Sequence, residues 1–381
     1  MSNFPNDFNV FKLIEEATKK AQNDVGHVNI LLVGKTGAGK STLINSMFGK
    51  SKTAVGVGQP CTTEFDEIRD ASGKFSHLGL IDSRGLELQD YSRIIRELES
   101  FIKDRAKNTD PKHHIHLAWL CINESDRRVE QAHIDILEML SRNGIPVIVV
   151  ITQAIRDKSK DNRDGFAKEV SFKGFVLQAL PKAKEVLRVL SEVYETDFGT
   201  APVHGLEELV EATERFLPEG QKQAFLAAQI VSIGHKVDVA NKFKTGAATL
   251  AGGIGLIPLN LTVPGTTEAG LVTTQIAMFA SISVAFGLDV DKVFLNTLVT
   301  SVAGSGTATL VGRELFRRII EWIPGGGVAA SSAAGGVIAY AITFAMGTAY
   351  IKTLKYFAEN GIKPTPEEIG QAFKENMKGT K

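Results

Sequence analysis

Apolar residues recur along the first half of the chain in two alternating rhythms. Residues 8–22 place Phe8, Phe11, Ile14 and Ala17 at roughly helical spacing, with Val10 and Leu13 widening the stripe, which predicts a short leading helix. The run GHVNILLVG that follows reads as a buried strand entering a glycine turn. Three more apolar runs end at polar residues: KFSHLGLID (74–82), IHLAWLCIN (115–123) and IPVIVVIT (145–152). Between them, 88–107 and 128–143 carry helical periodicity. Strands alternating with amphipathic helices imply an α/β fold, a mostly parallel sheet with helices on both faces, with ligands at the carboxyl ends of its strands.

The rhythm changes after Leu217, Pro218 and Glu219, and from Lys244 the chain becomes rich in Gly, Ala, Ser and Thr. Uncharged stretches cover 245–267, 269–288, 293–312 and 322–351, separated by clusters such as Asp289, Asp291 and Lys292, or Arg313, Glu314, Arg317 and Arg318. No fixed-period repeat is visible. The expected organisation is a leading helix (1–24), an α/β domain (25–220), an all-α Gly/Ala-rich domain (221–362) and a polar tail (363–381), either a short solvated helix or disordered. At 381 residues the chain exceeds the usual single-domain size, which agrees with that division.

Residues 269–288 and 328–351 are long enough to cross a bilayer at about 1.5 Å per residue. Their Gly, Ala, Ser and Thr gain little in hydrocarbon and equally permit close helix packing. Two readings therefore stand: a compact bundle in water, or membrane association. The latter would use a helical hairpin such as 245–288, or interfacial contact at Phe316, Trp322 and Ile323 beside Arg317 and Arg318. Gly252-Gly253, Pro264-Gly265, Pro324 to Gly327 and Gly335-Gly336 would be hinges.

Charge narrows the partners. Lys plus Arg and Asp plus Glu number 43 each, so the basic footprint of a nucleic-acid binder is missing and none is expected as partner. Cys61 and Cys121 fall in different predicted elements, which excludes a disulfide framework and fits a reducing, cytoplasmic setting. The N-terminus has acidic residues and no apolar core, so it is not read as a secretory signal.

The candidate chemistry sits at a strand end. Gly34, Lys35, Thr36, Gly37, Ala38, Gly39, Lys40 and Ser41 match G-x-x-x-x-G-K-S/T between a strand and a helix that continues through Thr42, the context this motif requires. Its glycines let backbone amides turn inward as a phosphate cradle, backed by the helix N-terminus. Lys40 would neutralise the terminal phosphates and Ser41 would ligate Mg²⁺. Downstream, Asp82-Ser83-Arg84-Gly85 gives D-x-x-G: Asp82 can hold Mg²⁺ through water and the Gly85 amide can touch the γ-phosphate. Between the two lies the loop Gly56 to Thr63, where Thr62, with Thr63 close behind, can close on the metal and γ-phosphate. Arg84 is a candidate for stabilising charge, or a solvated turn arginine.

Through GKTGAGKSTLINSMFG, the G-x-P-x-T-T loop and the DSRG turn, residues 25–217 resemble the Era/septin-like branch of the translation-factor-related GTPases. The resemblance extends more loosely to bacterial GTPases with an uncharacterised Gly/Ala-rich helical domain, and to immunity-related and dynamin-like GTPases, which act at membranes. It implies GTP or GDP and Mg²⁺ as cofactors, and a homodimer or homo-oligomer formed through the G domain, with membrane lipid as a further candidate partner. The resemblance also implies N/T-K-x-D after the fifth strand. Here Thr152 and Gln153 fit, Ile155 stands at the Asp position, and Asp157 is the substitute if the loop bulges. Ser191 and Glu192 loosely match the last base-contacting loop. Where Ras-like GTPases carry a water-orienting Gln after D-x-x-G, this chain has Leu86, so intrinsic turnover should be slow. Three functions remain open: a GTP-hydrolysing switch controlling assembly or membrane engagement of the helices, a nucleotide-binding scaffold with negligible hydrolysis, and a nucleotide-licensed pore-forming or membrane-remodelling effector.

The tract His113-His114-x-His116 is read as polarity at a strand start rather than a metal site, because no Cys lies at ligand spacing. Ser125 to Glu130 is read as the N-cap of the next helix.

Overall fold

A computed structural model of the chain describes residues 9–49, 65–68, 77–83, 91–155, 172–196, 199–255, 266–304 and 335–378. The chain divides into two compact units, Gly26–Ser232 and a second made of Met1–Val25 with Ile233–Lys381.

The first unit is built on a six-stranded sheet in the order β2-β3-β1-β4-β5-β6. Its strands are β1 Val28–Val33, β2 Phe65–Ile68, β3 Leu78–Ser83, β4 Leu117–Asn123, β5 Val147–Thr152 and β6 Glu185–Arg188. Five run parallel, and β2 is antiparallel to β3 at one edge. A small hairpin of β7 Tyr194–Thr196 and β8 Gly199–Ala201 follows. The helices of this unit are α2 Lys40–Phe48, α3 Tyr91–Ala106, α4 Gln131–Arg142, α5 Phe172–Ala179, α6 Leu206–Phe216 and α7 Glu219–Ala228.

The continuous apolar runs become central strands because both faces are covered. On one face Leu31, Val33 and Leu120 pack with Ile94 and Leu98 of α3 and Ile136 and Leu140 of α4. On the other, Trp119 is fully buried, stacks on Phe48 of α2 with ring centroids 6.0 Å apart, and donates its indole N–H to Thr213 Oγ1 of α6 at 3.1 Å. The hydrogen bond removes the desolvation cost that an unpaired indole N–H would carry there. β1 lies between β3 and β4, so the strand order reverses at its carboxyl end, the position where open α/β sheets bind ligands.

The second unit is helical: α1 Val10–Val25, α8 Ile233–Gly255, α9 Thr266–Ala285, α10 Lys292–Ala303, α11 Gly335–Glu359 and α12 Pro366–Lys378. Its composition acts through close approach rather than bending. Gly252 and Gly253 lie inside α8, and Gly335 and Gly336 open α11, so both pairs are helical. A Cβ on Gly347 would stand 2.5 Å from Lys244 Cγ, and one on Gly252 would stand 3.3 Å from Tyr340 Cβ. The glycines let α8 and α11 approach closely. Phe279, Tyr350 and Phe373 meet edge-on at 4.7, 5.3 and 5.7 Å. The Tyr350 hydroxyl lies 2.6 Å from Ser283 Oγ, and burial raises its pKa.

No helix among the described residues is long and apolar enough to cross a membrane. Pro264, Gly265 and residues 313–327, which include Phe316, Trp322 and Ile323, lie outside the described residues. The tail, expected as a short solvated helix or disordered, forms the helix α12, whose Ile369, Phe373 and Met377 are buried rather than solvated. The leading helix, expected as a separate segment over 1–24, buries Val10, Ile14, Ala17 and Ala21 within the helical unit, while α7 falls with the sheet. An amphipathic stripe requires a partner face wherever composition shifts.

Candidate nucleotide site

The loop after β1 has the shape its glycines allow. Gly37 and Gly39 adopt φ of 81° and 75°, left-handed conformations that a side chain disfavours. Gly34 is required for another reason: a Cβ there would sit 2.6 Å from the Cys121 carbonyl oxygen on β4. Burial pushes the Cys121 thiol up to about 12, so it is inert packing against the loop.

Lys40, the first residue of α2, is buried, and its ammonium donates to the carbonyls of Gly34 at 2.9 Å and Lys35 at 3.2 Å. The carboxylate of Asp82 at the end of β3 is 3.8 Å away. β3 pairs with β1 through Leu32 and Asp82, which fixes Asp82 beside the start of the loop. Ser41 is exposed and Thr42 half-buried on the first turn of α2, while Thr36 is exposed and Ala38 buried.

The loop is held from β5 as well. Thr152 Oγ1 donates to the Ala38 carbonyl at 2.8 Å, and Gln153 Nε2 to the Gly37 carbonyl at 3.4 Å. Asn123 Nδ2 reaches the same Gly37 oxygen at 3.5 Å. Beyond Gln153, Arg188 makes two 2.9 Å hydrogen bonds with the Glu124 carboxylate and donates to the Ile155 carbonyl at 3.0 Å. His204 Nε2 donates to the Ala154 carbonyl at 2.6 Å. These contacts fix the backbone of 152–155 and leave the Ile155 side chain exposed. The Ser191 carbonyl accepts from Ser46 Oγ at 2.8 Å, and Glu192 is exposed.

The geometry thus brings Gly34 to Thr42, Asp82, Thr152 and Gln153 around one loop. Thr62, Thr63, Arg84, Gly85, Leu86 and Asp157 lie outside the described residues. Sequence reasoning missed Asn123, the Glu124–Arg188 pair and the ion pair between Lys35 and Glu130. Lys35 occupies a variable position of the motif, and its partner lies far along the chain, so no local signal marks the pair.

Two local readings gain detail. Within Ser125 to Glu130 the cap falls to the last residue: Glu124–Asp126 form a 3₁₀ turn capped by the Asn123 side chain, Arg127 turns left-handed at φ 50°, and Glu130 is the N-cap of α4, which starts at Gln131. The apolar stripe that α4 must bury begins only at Ala132. The histidines around β4 each meet the polypeptide: His114 Nε2 donates to the Asn108 carbonyl at 2.7 Å, and His116 Nδ1 accepts from the Asn29 amide at 2.9 Å. Among the described residues no cluster of three or more potential ligands gathers to hold a metal.

A family model described as 50S ribosome-binding GTPase matches residues 29–153. GTPase Der of Porphyromonas gingivalis is 25% identical over 228 residues, which cover 54% of this chain and 49% of the relative. GTPase Der of Buchnera aphidicola subsp. Schizaphis graminum is 27% identical over 160 residues, 42% of this chain and 33% of the relative. The chain therefore spans about half the length of the first relative and a third of the second. The crystal structure of a probable GTP-binding protein engB aligns with a TM-score of 0.32 and 18% identity, over 50% of this chain and 98% of that one. Together with the sheet order and the loop on β1, the family match makes residues 29–153 the core of a G domain of the P-loop GTPase fold.

Proposed function

We propose that this protein binds GTP at the loop 34–42 and hydrolyses it with Mg²⁺, as a switch whose nucleotide state controls assembly of the helical unit. The observation that carries the reading is the placement of Lys40: its ammonium rests on two loop carbonyls, 3.8 Å from a strand-end carboxylate, where the sheet order reverses. A buried ammonium at a helix N-terminus concentrates positive potential, which favours phosphate oxygens. The left-handed glycines turn backbone amides toward the same place.

The oxygen donors suit Mg²⁺: the Ser41 hydroxyl on the first turn of α2 and the Asp82 carboxylate on the neighbouring strand. When bound, that ion neutralises charge on the phosphate oxygens. Thr62 and Gly85 sense the γ-phosphate, and Arg84 stabilises developing charge. With Leu86 after D-x-x-G, intrinsic turnover is slow and rises on self-association through the G domain. Guanine preference falls to Gln153, Asp157 and the 191–192 loop, since Ile155 has no hydrogen-bonding group. Membrane engagement finds no support in helix length among the described residues.

The test is phosphate release by the full chain with GTP and with ATP over a range of protein concentration, beside Lys40→Ala. The expected result is GTP-selective release that steepens with concentration and falls on the order of a hundredfold in the variant. Release no greater than that of Lys40→Ala would leave a nucleotide-binding scaffold, and equal use of ATP would end the guanine assignment.

A further inference from the structure

The phosphate loop carries a second lysine that its motif does not require. The Lys35 ammonium pairs with the carboxylate of Glu130, the residue before α4 and 95 positions downstream. Their side chains are only 19% and 16% exposed, so the pair is largely withdrawn from water. An exposed pair would contribute little, but one held this way leaves an uncompensated charge when either partner is removed.

Glu130 is itself fixed. Arg128 Nε donates to its carboxylate at 2.9 Å, and the Glu130 amide donates to His133 Nδ1 at 3.1 Å, which anchors it to the first turn of α4. Burial acts to raise the pKa of Glu130. The Lys35 hydrogen bond and the charges of Lys35 and Arg128 outweigh it and hold the carboxyl below its ordinary value, so it is ionised at neutral pH. At the other end, the Lys35 carbonyl accepts from Lys40 Nζ at 3.2 Å and from the Ala38 amide at 3.0 Å. Lys35 is therefore tied to α4 by its side chain and to the Lys40 ammonium by its backbone.

We propose that Glu130 is a positioning residue of the nucleotide site, acting through Lys35 to hold the phosphate loop in its binding shape before ligand arrives. The inference rests on the reading of that loop as a triphosphate site. The physical need is clear from the backbone. Gly37 and Gly39 sit in left-handed conformations, and glycine loses more conformational freedom on ordering than any other residue. Each backbone residue fixed in one conformation costs conformational entropy. Thr152, Gln153 and Asn123 hold the Gly37 and Ala38 carbonyls from the ends of β5 and β4, and the Lys35–Glu130 pair holds the opposite limb of the loop from the N-cap of α4. A loop ordered in advance gives back that entropy as affinity, and the gain appears in ground-state binding rather than in the chemical step.

The experiment is GDP affinity by calorimetry and steady-state GTP hydrolysis for the full chain and for Glu130→Gln, Lys35→Met, the double variant and Lys40→Ala. Lys35→Met leaves the Glu130 cap of α4 intact, so it tests the tether even where Glu130→Gln weakens the helix. Each single variant is expected to weaken GDP binding about tenfold, with kcat nearly unchanged and the double variant no weaker than the singles. Wild-type affinity in Lys35→Met, or additive losses in the double variant, would overturn the tether while Lys40→Ala still loses binding. Failure of the wild-type chain to bind GDP would instead overturn the nucleotide site, and the tether with it.

Discussion

Asn29 is the one polar residue of β1, and its surroundings show how a buried polar group is made acceptable. Its side-chain amide donates to the carbonyls of Lys112 and His114 at 2.7 Å each, and its backbone N–H donates to His116 Nδ1 at 2.9 Å. That last bond requires neutral His116. Burial, with smaller contributions from the charges of His27 and His114, lowers its pKa from 6.5 to about 4. Between these values the unfolded chain takes up a proton that the folded chain refuses. Stability carried by His116 is therefore complete above about pH 6.5 and lost as pH falls toward 4, a total of roughly 3 kcal/mol. Denaturant unfolding between pH 7 and 4.5 should show the wild type losing its advantage over His116→Asn, whose amide oxygen can accept the same bond without titrating. A constant difference across that range would remove His116 from the account. The histidine tract was legible as polarity at a strand start, but its pairing with Asn29 depends on β1 and β4 being neighbours, which no local pattern states.

At the scale of elements, α12 shows where charge misleads. Residues 363–381 are rich in Lys and Glu and read as a short solvated helix or a disordered tail, yet Ile369, Phe373 and Met377 recur every four residues and are buried. The start of the helix was also encoded. Thr365 Oγ1 accepts from the Glu368 amide at 3.3 Å and Glu368 Oε2 from the Thr365 amide at 2.7 Å, a reciprocal cap followed by Pro366 at the first helical position. A three-residue apolar stripe has weight only when a partner face waits for it, and here α11 supplies Tyr350 to Phe373 while Thr353 accepts from Asn376 at 2.9 Å. Phe373→Ala should therefore cost about 3–5 kcal/mol, well beyond any surface substitution. Calorimetry of that variant would decide it, since a change below about 0.5 kcal/mol is what a solvated tail gives.

At the scale of the molecule, the chain's first helix belongs with its last ones. Val10, Ile14, Ala17 and Ala21 are buried within the helical unit, and Glu15 pairs with Lys292 of α10 at 3.2 Å. Removing residues 1–25 should then lower the unfolding temperature of the helical unit, because several apolar side chains lose their cover at about 1.5–3 kcal/mol each. Phosphate release should stay at the wild-type level, since the loop, Asp82, Thr152 and Gln153 all lie in Gly26–Ser232. Loss of activity together with unchanged thermal stability would contradict that division of labour.

The sequence by itself determined whatever depends on neighbours along the chain. The glycine spacing of the phosphate loop, the apolar runs of β1, β3, β4 and β5, the amphipathic stripes of α3 and α4 and the acid at the end of β3 all act locally, so each left a readable pattern. Only the tertiary structure decided what arises between distant segments. Strand order sets Asp82 level with Leu32 and beside Lys40. The β5 and β4 side chains that grip the loop, the Lys35–Glu130 tether, and glycines that pack α8 against α11 instead of bending them are matters of which faces meet. Such contacts are chosen by shape and burial over the whole fold, and one-dimensional periodicity does not carry that information.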